Sequence, residues 1–490
     1  MRDCLLRDSD GSELRGFVCW VRGGFDDASK HEFPLTMRLE LTIETVLKRT
    51  TSRCPVCHEP TPAEVIRVAQ GKDAKVYLKK TCAEHGESAI CIASDARFYW
   101  LAQGDSKNAC CGGAACSASE EGKPGTLGRN AAGRGDGPFE TLATCLALIE
   151  IVNTCNLACP TCFADSPVGA SGPKLDAVPV ADLQRRILGV IESKGPIEIL
   201  QLSGGEPTLH PEFFELLAWT QERTDIGYVL LNTNGVRIAT DEDFAKQLGE
   251  TFVKRKFQLY LQFDGPQEAG QRMLRGADLS AVRDRTIRRC EAMGVPVTLA
   301  MTVTPENLRH VWEAIEYGLQ FTNVRGVAFQ PMFLSGRTAA SKAPEGRLNT
   351  ADVILAAVGQ SDGKLRFEDF TPLPCGDPNC ATIGYLLKTP GRIRSVSDFI
   401  DFAAMQGFLH DKINYSLGDL SQCGCENQPL ADLMRAFELK ESDTFRLFIK
   451  PFMDAWTWDQ DRIDRCCTHV IRPDGQLDSF CRYYSGFATA

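Results

Sequence analysis

The sequence has no window of about 18 uncharged apolar residues, the length that a membrane-spanning helix needs. Its first residues, MRDCLLRDSD, also lack the apolar core of a secretory signal peptide. The sequence therefore predicts a cytoplasmic protein whose contact with membranes is at most peripheral.

An excess of positive charge is also missing. The formal net charge is -10 and the pI is near 5.4, which argues against a nucleic-acid partner. Hydrophobic residues make up 43% of the chain and charged residues 24%, as in ordinary globular proteins. A chain of 490 residues exceeds the size at which a single core stops growing, so we expect a main domain with smaller additions.

Cysteine, in contrast, is abundant. The chain has 21 cysteines without a secretion signal, and cytosolic thiols stay reduced, so metal ligation explains the clustered ones better than disulfides do. Isolated cysteines such as Cys145 and Cys290 can be small buried hydrophobic residues.

Short apolar runs alternate with amphipathic stretches between about residues 145 and 335, in the order of repeated βα units. The runs predict six strands, at 146–152, 197–204, 228–235, 257–265, 295–303 and 324–332. The stretches between them, such as VADLQRRILGVIESKG, have apolar residues at helical spacing. The sequence predicts an α/β fold, either a partial (β/α)6 barrel or an open doubly wound sheet, with ligands at the carboxyl ends of the strands.

The segment NTCNLACPTCF follows the first predicted strand and carries Cys155, Cys159 and Cys162 in CxxxCxxC spacing. Three thiolates on one short loop can hold three irons of a 4Fe-4S cluster and leave the fourth without a protein ligand. S-adenosylmethionine (SAM) can chelate that iron. By spacing alone, a zinc knuckle or one arm of a fully ligated ferredoxin cluster is an alternative.

The segment LSGGEPTLHPE ends the second predicted strand. Its glycines, Gly204 and Gly205, permit close approach of the backbone to a ligand. Glu206 can accept a hydrogen bond from the methionine amino group of SAM.

Polar residues near the ends of the later strands are expected to face the same mouth of the barrel: Asn232, Asn234, Gln262, Asp264, Thr302 and Gln330. There they would contact the SAM ribose, its carboxylate or the substrate. Each has an alternative interpretation as a loop cap, and the pairs Asn234-Gly235 and Asp264-Gly265 can simply form turns.

With the cysteine loop and the GGE motif in these positions, the chain resembles the radical SAM superfamily over about residues 141–340. The resemblance implies a partial (β/α) barrel that holds a 4Fe-4S cluster and SAM. It implies an enzyme in which one electron cleaves SAM into methionine and a 5'-deoxyadenosyl radical. A low-potential electron donor such as ferredoxin or flavodoxin is the expected partner.

A second cysteine group precedes the predicted barrel. Cys54 and Cys57 form a CPxC knuckle, and the segment TCAEHG adds Cys82 and His85. These residues could hold one tetrahedral metal, either zinc in a structural ribbon or rubredoxin-like iron, with His85 or Cys91 as the fourth ligand.

A third group follows the predicted barrel. The candidate ligands of one or two auxiliary clusters are Cys375, Cys380, Cys466, Cys467 and Cys481. Nearby proline and glycine residues leave little core in which such thiols could be buried. The CGC segment at Cys423 and Cys425 can be an incidental exposed pair.

Taken together, the CPxC and CxEHG segments, ALIEIVNTCNLACPTCFA, LQFDG, GVAFQPMFLSGR, PCGDPNC and RCCTHVIRPDGQLDSFC resemble the tetraether lipid synthase family and its bacterial relatives over residues 51–490. That family implies auxiliary 4Fe-4S clusters, a rubredoxin-like metal site and the joining of unactivated alkyl chain ends. Older descriptions of the family assign pterin methylation. A regular cysteine-rich run expected before the first strand is replaced by a glycine-rich context around Cys110, with Cys111 and Cys116 as candidate ligands.

These observations predict five segments: an extension (1–50), a rubredoxin-like metal-binding segment (51–104), a Gly/Ala/Ser-rich linker (105–140), the partial barrel (141–340) and a C-terminal auxiliary iron-sulfur domain (341–490). The leading hypothesis is a radical SAM enzyme that couples or modifies alkyl chains of membrane lipids. One alternative is methylation or modification of a pterin or another small polar molecule. The alternative from another class is a non-catalytic multi-cluster electron carrier, against which the GGE motif argues.

Overall fold

The computed structural model describes residues 6–7, 13–14, 42–99, 145–169, 175–252, 257–338, 346–373, 376–389, 392–399 and 441–486. The predicted linker at 105–140 lies outside these residues. Two short strands, β1 (Leu6–Arg7) and β2 (Glu13–Leu14), pair in antiparallel fashion near the start of the chain.

A four-stranded antiparallel sheet forms the N-terminal unit. Its strands, paired in chain order, are β3 (Thr42–Arg53), β4 (Pro60–Gln70), β5 (Asp73–Cys82) and β6 (Gly86–Ala93). Its core is small and is built around Val65, Val76 and Leu78. The β3–β4 connection carries the CPxC knuckle and the β5–β6 connection carries His85, so the two connections bring the predicted metal ligands to one end of the sheet.

Six parallel strands form the centre of the larger unit, and the α/β prediction is confirmed. They are β7 (Leu146–Val152), β8 (Ile197–Gly204), β9 (Ile226–Thr233), β10 (Phe257–Gln262), β11 (Val297–Val303) and β12 (Val324–Pro331), paired in chain order. The first, LALIEIV, is buried except at Glu150. Near-continuous apolar runs of this kind are typical of parallel strands that are covered on both faces.

Helices pack between and outside these strands. In chain order they are α1 (Val180–Lys194), α2 (Phe213–Glu222), α3 (Val236–Thr240), α4 (Glu242–Phe252), α5 (Gln271–Arg275), α6 (Ser280–Ala292), α7 (Val311–Leu319) and α8 (Thr350–Gln360). Helix α1 buries Leu183, Ile187 and Val190, three- and four-residue spacings that place these residues on one face. Among the described residues, no helix combines the length and apolar character needed to cross a bilayer.

Strands from the C-terminal region extend the same sheet. Strand β16 (Thr444–Ile449) pairs in parallel with β12, and β17 (Thr468–Ile471) pairs in parallel with β7. The parallel strands of the described chain therefore number eight, two more than the sequence predicts. Lys450 Nζ donates to Thr468 Oγ1 at 2.8 Å, which links the ends of the two added strands.

The remaining elements surround this extended sheet. Antiparallel neighbours at its edges are β13 (Thr371–Pro372), β14 (Thr382–Thr389), β15 (Arg392–Ser395) and β18 (Leu477–Ser479), and two short helices are α9 (Gln460–Asp464) and α10 (Phe480–Tyr484). Short 3-10 turns lie at Ala96–Phe98, Pro207–Leu209, Leu308–His310, Gly336–Thr338, Phe367–Asp369, Val396–Asp398 and Glu441–Asp443. The region expected to be a separate auxiliary domain thus shares its sheet with the barrel.

Candidate active site

The three-cysteine loop follows β7, at the carboxyl end of a parallel strand. Cys155 and Cys159 are buried and Cys162 is partly buried. Burial raises the pKa of Cys155 to about 12 and also raises the pKa of Cys159. Buried thiols can be held as thiolates only where positive charge neutralises them, and iron ions supply such charge. The donor set of the loop therefore fits the predicted iron-sulfur cluster.

Arg337 holds this loop in shape. Its guanidinium donates to the carbonyl oxygen of Cys159 at 2.6 Å and to the carbonyl oxygen of Ser166, and its backbone N–H donates to the carbonyl oxygen of Cys162 at 3.1 Å. The preceding Gly336 has a φ of 53°, and a Cβ there would lie 2.4 Å from the Cys162 carbonyl oxygen. The sequence reasoning missed Arg337, although the LSGR segment just beyond the sixth predicted strand was a usable signal.

The two glycines of the GGE motif do permit a close approach, but to the chain's own backbone. Gly204 has a φ of 127°, and a Cβ on it would lie 2.1 Å from the carbonyl oxygen of Val152. A Cβ on Gly205 would lie 2.2 Å from the carbonyl oxygen of Thr154. These glycines let the end of β8 pack against the segment that leads into Cys155, and both also line the central cavity, where their approach to a ligand stays a prediction.

Glu206 is fully buried and accepts several hydrogen bonds. Its Oε1 accepts from the hydroxyls of Thr208 and Thr233, at 2.7 and 2.8 Å, and from the backbone N–H of Thr208. Its Oε2 accepts from the backbone N–H of Asn234 at 2.7 Å. Burial raises the pKa of Glu206, while these donors oppose the rise. Oε2 accepts a single hydrogen bond from the described residues and Glu206 lines the central cavity, so Oε2 can also accept from a ligand.

Asn234 connects β9 to the cysteine loop. Its side-chain amide donates to Asn156 Oδ1 at 2.6 Å and lies 3.9 Å from Cys155 Sγ. Its Oδ1 also accepts from the backbone N–H of Val236 at 3.0 Å, the turn role that the sequence left open. Asn234 is therefore both a cap and a neighbour of the candidate cluster ligand.

Asp264 is the one predicted polar residue of this set that does not line the central cavity described below. Its carboxylate is buried and binds Arg275 in two places, with Nε at 2.6 Å and Nη2 at 2.9 Å. Asp264 also has a φ of 62°, so it forms the turn that was the alternative interpretation of its sequence context.

Arg275 was missed by the sequence reasoning. Its guanidinium lines the cavity, donates to Thr302 Oγ1 at 3.1 Å, and opposes the rise in the pKa of Cys159. Arg275 belongs to no sequence motif, because it is the last residue of the five-residue helix α5, which has no recognisable sequence pattern. Asp264 therefore acts on the site through this arginine.

One cavity of about 280 Å³ opens beside the cysteine loop. Most of the residues that the sequence predicts for the SAM site line this cavity: Cys155, Cys159, Cys162, Gly204, Gly205, Glu206, Asn232, Asn234, Gln262, Thr302 and Gln330. Because these residues come from the ends of successive parallel strands, the structure brings them together as the fold class predicts.

Side chains that project from the strands into this cavity are paired by hydrogen bonds. Gln201 donates to the amide oxygen of Asn232, and Asn232 donates to Ser203. Gln330 donates to the Tyr260 hydroxyl at 2.7 Å. The Tyr228 hydroxyl donates to Gln258, which donates to Thr298. The cavity wall therefore presents amide and hydroxyl groups that are held in fixed orientations.

Another part of the same cavity is aromatic and cationic. Phe452 and Phe480 stack with their ring centroids 4.2 Å apart, and Phe333 lies 5.3 Å from Phe452. Arg446 on β16 and Lys450 just after it also line the cavity. These residues come from, or pack against, the C-terminal strands, so the cavity is completed by the region beyond the six predicted strands.

The N-terminal ligands form a compact group. The ligand atoms of Cys54, Cys57, Cys82 and His85 all lie within 4.8 Å of one another, with His85 Nδ1 3.6 Å from Cys82 Sγ. Cys91 lies on β6, outside this group, so His85 is the better fourth ligand. Within the described chain, the sulfurs of the three-cysteine loop are not gathered in this single-ion arrangement, as expected when each ligand binds a different iron of a cluster.

The C-terminal thiols lie near one another. Burial raises the pKa of Cys466 well above its usual value, and Cys467, Cys380 and Cys481 each add to the rise. Arg462 is a neighbour of Cys380 and opposes the rise in its pKa. Of the predicted auxiliary ligands, Cys111, Cys116 and Cys375 lie outside the described residues, as do Cys423 and Cys425.

Comparisons with known proteins agree with this geometry. Residues 149–318 match the model of the radical SAM superfamily, and residues 46–94 match that of the HMPTM N-terminal zinc ribbon domain. A 7,8-dihydro-6-hydroxymethylpterin dimethyltransferase from Methanocaldococcus jannaschii is 28% identical over 89% of this chain and 93% of its own. A GTP 3',8-cyclase from Actinobacillus pleuropneumoniae is 31% identical over 23% of this chain and 34% of its own.

The chain is also similar to solved structures. Streptococcus suis SuiB bound to S-adenosylmethionine is 17% identical with a TM-score of 0.33, over 41% of this chain and 44% of that chain. The chain thus spans less than half of that protein.

Proposed function

We propose that this chain, which belongs to the radical SAM superfamily and carries a zinc ribbon, modifies the ring of a small nitrogen heterocycle of the pterin type, by methyl transfer. The observation that carries the proposal is the set of hydrogen-bonded amides in the wall of the cavity beside the cysteine loop. The similarity to a pterin dimethyltransferase along nine-tenths of both chains supports it.

Amide side chains suit a pterin because its ring edge alternates hydrogen-bond donors with acceptors. Gln201, Asn232 and Gln258 each offer both kinds of group, and their partners fix which atom faces the cavity. Each amide has two N–H groups and an oxygen that can accept twice, so beyond the bonds within the wall it has donors and acceptors to offer a polar ligand. The aromatic side chains Phe452 and Phe480 can cover the flat face of a ring.

The lipid hypothesis from the sequence requires a different cavity. An alkyl chain gains affinity only by burying methylene groups in a dry channel, at roughly 0.8 kcal/mol each. Polar groups from five successive strands, β8 to β12, line this cavity beside apolar side chains such as Leu230 and Phe448, and an alkyl chain could not form hydrogen bonds with those polar groups. The similarity to a pterin dimethyltransferase also favours a polar substrate, so we propose the polar substrate in place of the lipid tail.

The residues around the cysteine loop can be given roles in binding the cofactors. Cys155, Cys159 and Cys162 would hold a 4Fe-4S cluster that, with SAM bound, supplies one-electron chemistry to an unactivated position of the substrate. The free acceptor position on Glu206 Oε2 would receive the amino group of SAM. Arg275 would offer the positive charge for its carboxylate, with Asp264 fixing the direction of the guanidinium.

Anaerobic assays with the reconstituted protein test this proposal. The protein would be incubated with SAM, a low-potential reductant and 6-hydroxymethyl-7,8-dihydropterin, and in parallel with total membrane lipids. We expect mass spectrometry to show methyl addition to the pterin and unchanged lipids. A chain-coupled lipid together with an unchanged pterin would show that the lipid hypothesis was correct.

A pair of substitutions separates substrate binding from SAM chemistry. Gln258→Leu removes a cavity amide, so we expect it to lower pterin modification about tenfold, the loss that corresponds to roughly 1.4 kcal/mol, while SAM is still cleaved. Gln247→Leu makes the same change on the exposed face of α4 and should leave both activities at the original level. Equal activity of the two variants would remove Gln258 from the substrate site.

A further inference from the structure

A second, smaller cavity lies where the zinc ribbon meets the barrel. It has a volume of about 50 Å³. Its wall includes Cys91 from the ribbon, Tyr99 from the segment that follows the ribbon, and Met332 from the end of β12. We call it the seam cavity. It is large enough for a few water molecules or one small ion.

Three hydrogen-bond donors that line the seam cavity have no partner. They are the hydroxyl of Tyr99, Nη1 of Arg347 and Nε of Arg462. Tyr99 is 9% exposed, and the side chain of Arg347 is 8% exposed. Since nearly all buried polar groups in folded proteins are hydrogen-bonded, three unsatisfied donors in one cavity indicate a ligand that accepts hydrogen bonds.

The charge of the seam cavity points to an anion. Arg347 and Arg462 are the charged residues among the described residues that line it. Four carboxylates act on the cavity, and each already has a cationic partner. Asp454 binds Arg347 at 2.6 Å, and Lys48 binds Asp459 at 2.6 Å and Asp461 at 3.2 Å. Asp377 lies 3.4 Å from Arg465. Arg462 forms no ion pair with any described carboxylate; its Nη2 donates to the carbonyl oxygen of Pro451, and its guanidinium also hydrogen-bonds to the sulfur of Cys380. A buried guanidinium without a carboxylate is costly unless another anion pairs with it.

We propose that the seam cavity binds the oxyanion group of a small molecule, a carboxylate or a phosphate. Guanidinium groups match the paired oxygens of both, and the Tyr99 hydroxyl adds a third donor. The site is distinct from the central cavity, although Pro331, Met332 and Phe452 line both cavities. A ligand here would contact the ribbon and the barrel at once, so its binding would stabilise the contact between them.

Anaerobic calorimetric titration of the full holoenzyme tests the proposal. Inorganic phosphate and acetate are titrated separately, and chloride is the control for ionic strength. We expect one of the two oxyanions to bind and to raise the melting temperature.

Tyr99→Phe removes only the unpaired hydroxyl, so the Kd should rise about tenfold while SAM cleavage is unchanged. Arg462→Gln should abolish binding. Arg185→Gln, the same change on the exposed face of α1, should bind as the unmodified protein does.

Two results would overturn the proposal. If neither phosphate nor acetate binds, the seam cavity holds water, and the side chain of Arg462 is satisfied by its hydrogen bond to Cys380. If an oxyanion binds equally well to all the variants, it occupies another place. Neither result depends on turnover, so a failure of the pterin assay would leave this test intact, and the reverse also holds.

Discussion

Several residues of the candidate active site form most of their hydrogen bonds with other parts of the chain, which fixes the conformation of the site. Glu206 illustrates this, because most of its hydrogen bonds come from Thr208, Thr233 and Asn234. The guanidinium of Arg337 similarly donates hydrogen bonds to carbonyl oxygens of the cysteine loop. A cluster ligand must be held in position before metal arrives, so residues that fix the loop backbone should affect metal content as strongly as polar residues of the cavity.

Substitution of Gly204 tests the close packing of the motif. Gly204→Ala places a Cβ against the Val152 carbonyl oxygen at a φ that only glycine tolerates well, so we expect a loss of about 3 kcal/mol or more in the free energy of unfolding. Gly189→Ala is the matched control, because Gly189 is an exposed position of α1 with nothing within 4 Å. That change should stabilise the protein by about 0.5 to 1 kcal/mol. Anaerobic urea unfolding measures both, and equal midpoints would refute the argument.

Arg337 provides a second test at this scale. Lysine keeps the charge but cannot reach several carbonyl oxygens with a planar fork of donors. We expect Arg337→Lys to lower the iron bound at the cysteine loop to less than about half after reconstitution, since the bonds of the guanidinium to the carbonyl oxygens of Cys159 and Ser166 are lost at about 1 kcal/mol each. Arg185→Lys, on the exposed face of α1, should keep its iron. Full iron content in both variants would show that the loop holds its shape without Arg337.

At the scale of elements, the C-terminal helix α10 is attached to the first barrel strand. Glu150 on β7 accepts hydrogen bonds from Tyr483 at 2.9 Å and from Tyr484 at 2.8 Å. The Tyr484 ring also meets Phe163, next to Cys162, edge to face. Helix α10 contributes Phe480 to the central cavity and carries Cys481, so these tyrosines couple the end of the chain to the candidate active site.

We expect Tyr484→Phe to cost about 1.5 kcal/mol of unfolding free energy, because a hydrogen bond to a charged acceptor is lost. Tyr77→Phe is the control, since the Tyr77 hydroxyl has no hydrogen bond to a described residue. The measurement is the midpoint of anaerobic urea unfolding for both proteins. A Tyr484→Phe midpoint no lower than that of the control would mean that Glu150 does not anchor the helix.

The sequence predicts some elements well and misses others for a physical reason. Strands β7 and β8 have the predicted bounds, because their apolar runs are continuous and end at the cysteine loop and at the glycine pair. Strands β16 and β17 were missed, since a short run such as THVI carries no information about the distant strand with which it pairs. The same holds for the candidate site. Its motif residues were predicted from the sequence, whereas Arg275 and Arg337 were not, because they act through contacts between residues that are distant in the sequence.

At the scale of the whole molecule, the ribbon is bound to the barrel through the segment that leads to the C-terminal cysteines. Lys48 and Thr50 on β3 both bind Asp459, and Lys80 on β5 donates to the carbonyl oxygen of Ala455. Cys466 and Cys467 follow a few residues later. The metal that orders the ribbon should therefore influence this segment more than the distant three-cysteine loop.

Removing the ribbon metal tests this arrangement. The ribbon has only a small apolar core, so its metal should supply much of its folding energy. We expect Cys82→Ala to release zinc, to make residues 42–99 sensitive to limited proteolysis, and to lower the iron held by the C-terminal cysteines. The iron of the Cys155 loop should remain, because the hydrogen bonds and ion pairs of the ribbon within the described chain reach residues 455–461 and Asn349, and not that loop. Cys290→Ala changes a buried thiol of the barrel core outside the metal group, and this variant should keep its zinc.

Metal analysis and limited proteolysis of both variants test these expectations. Zinc retained in Cys82→Ala would exclude Cys82 as a ligand. Loss of SAM-dependent activity along with the zinc would show that the ribbon supports the whole barrel.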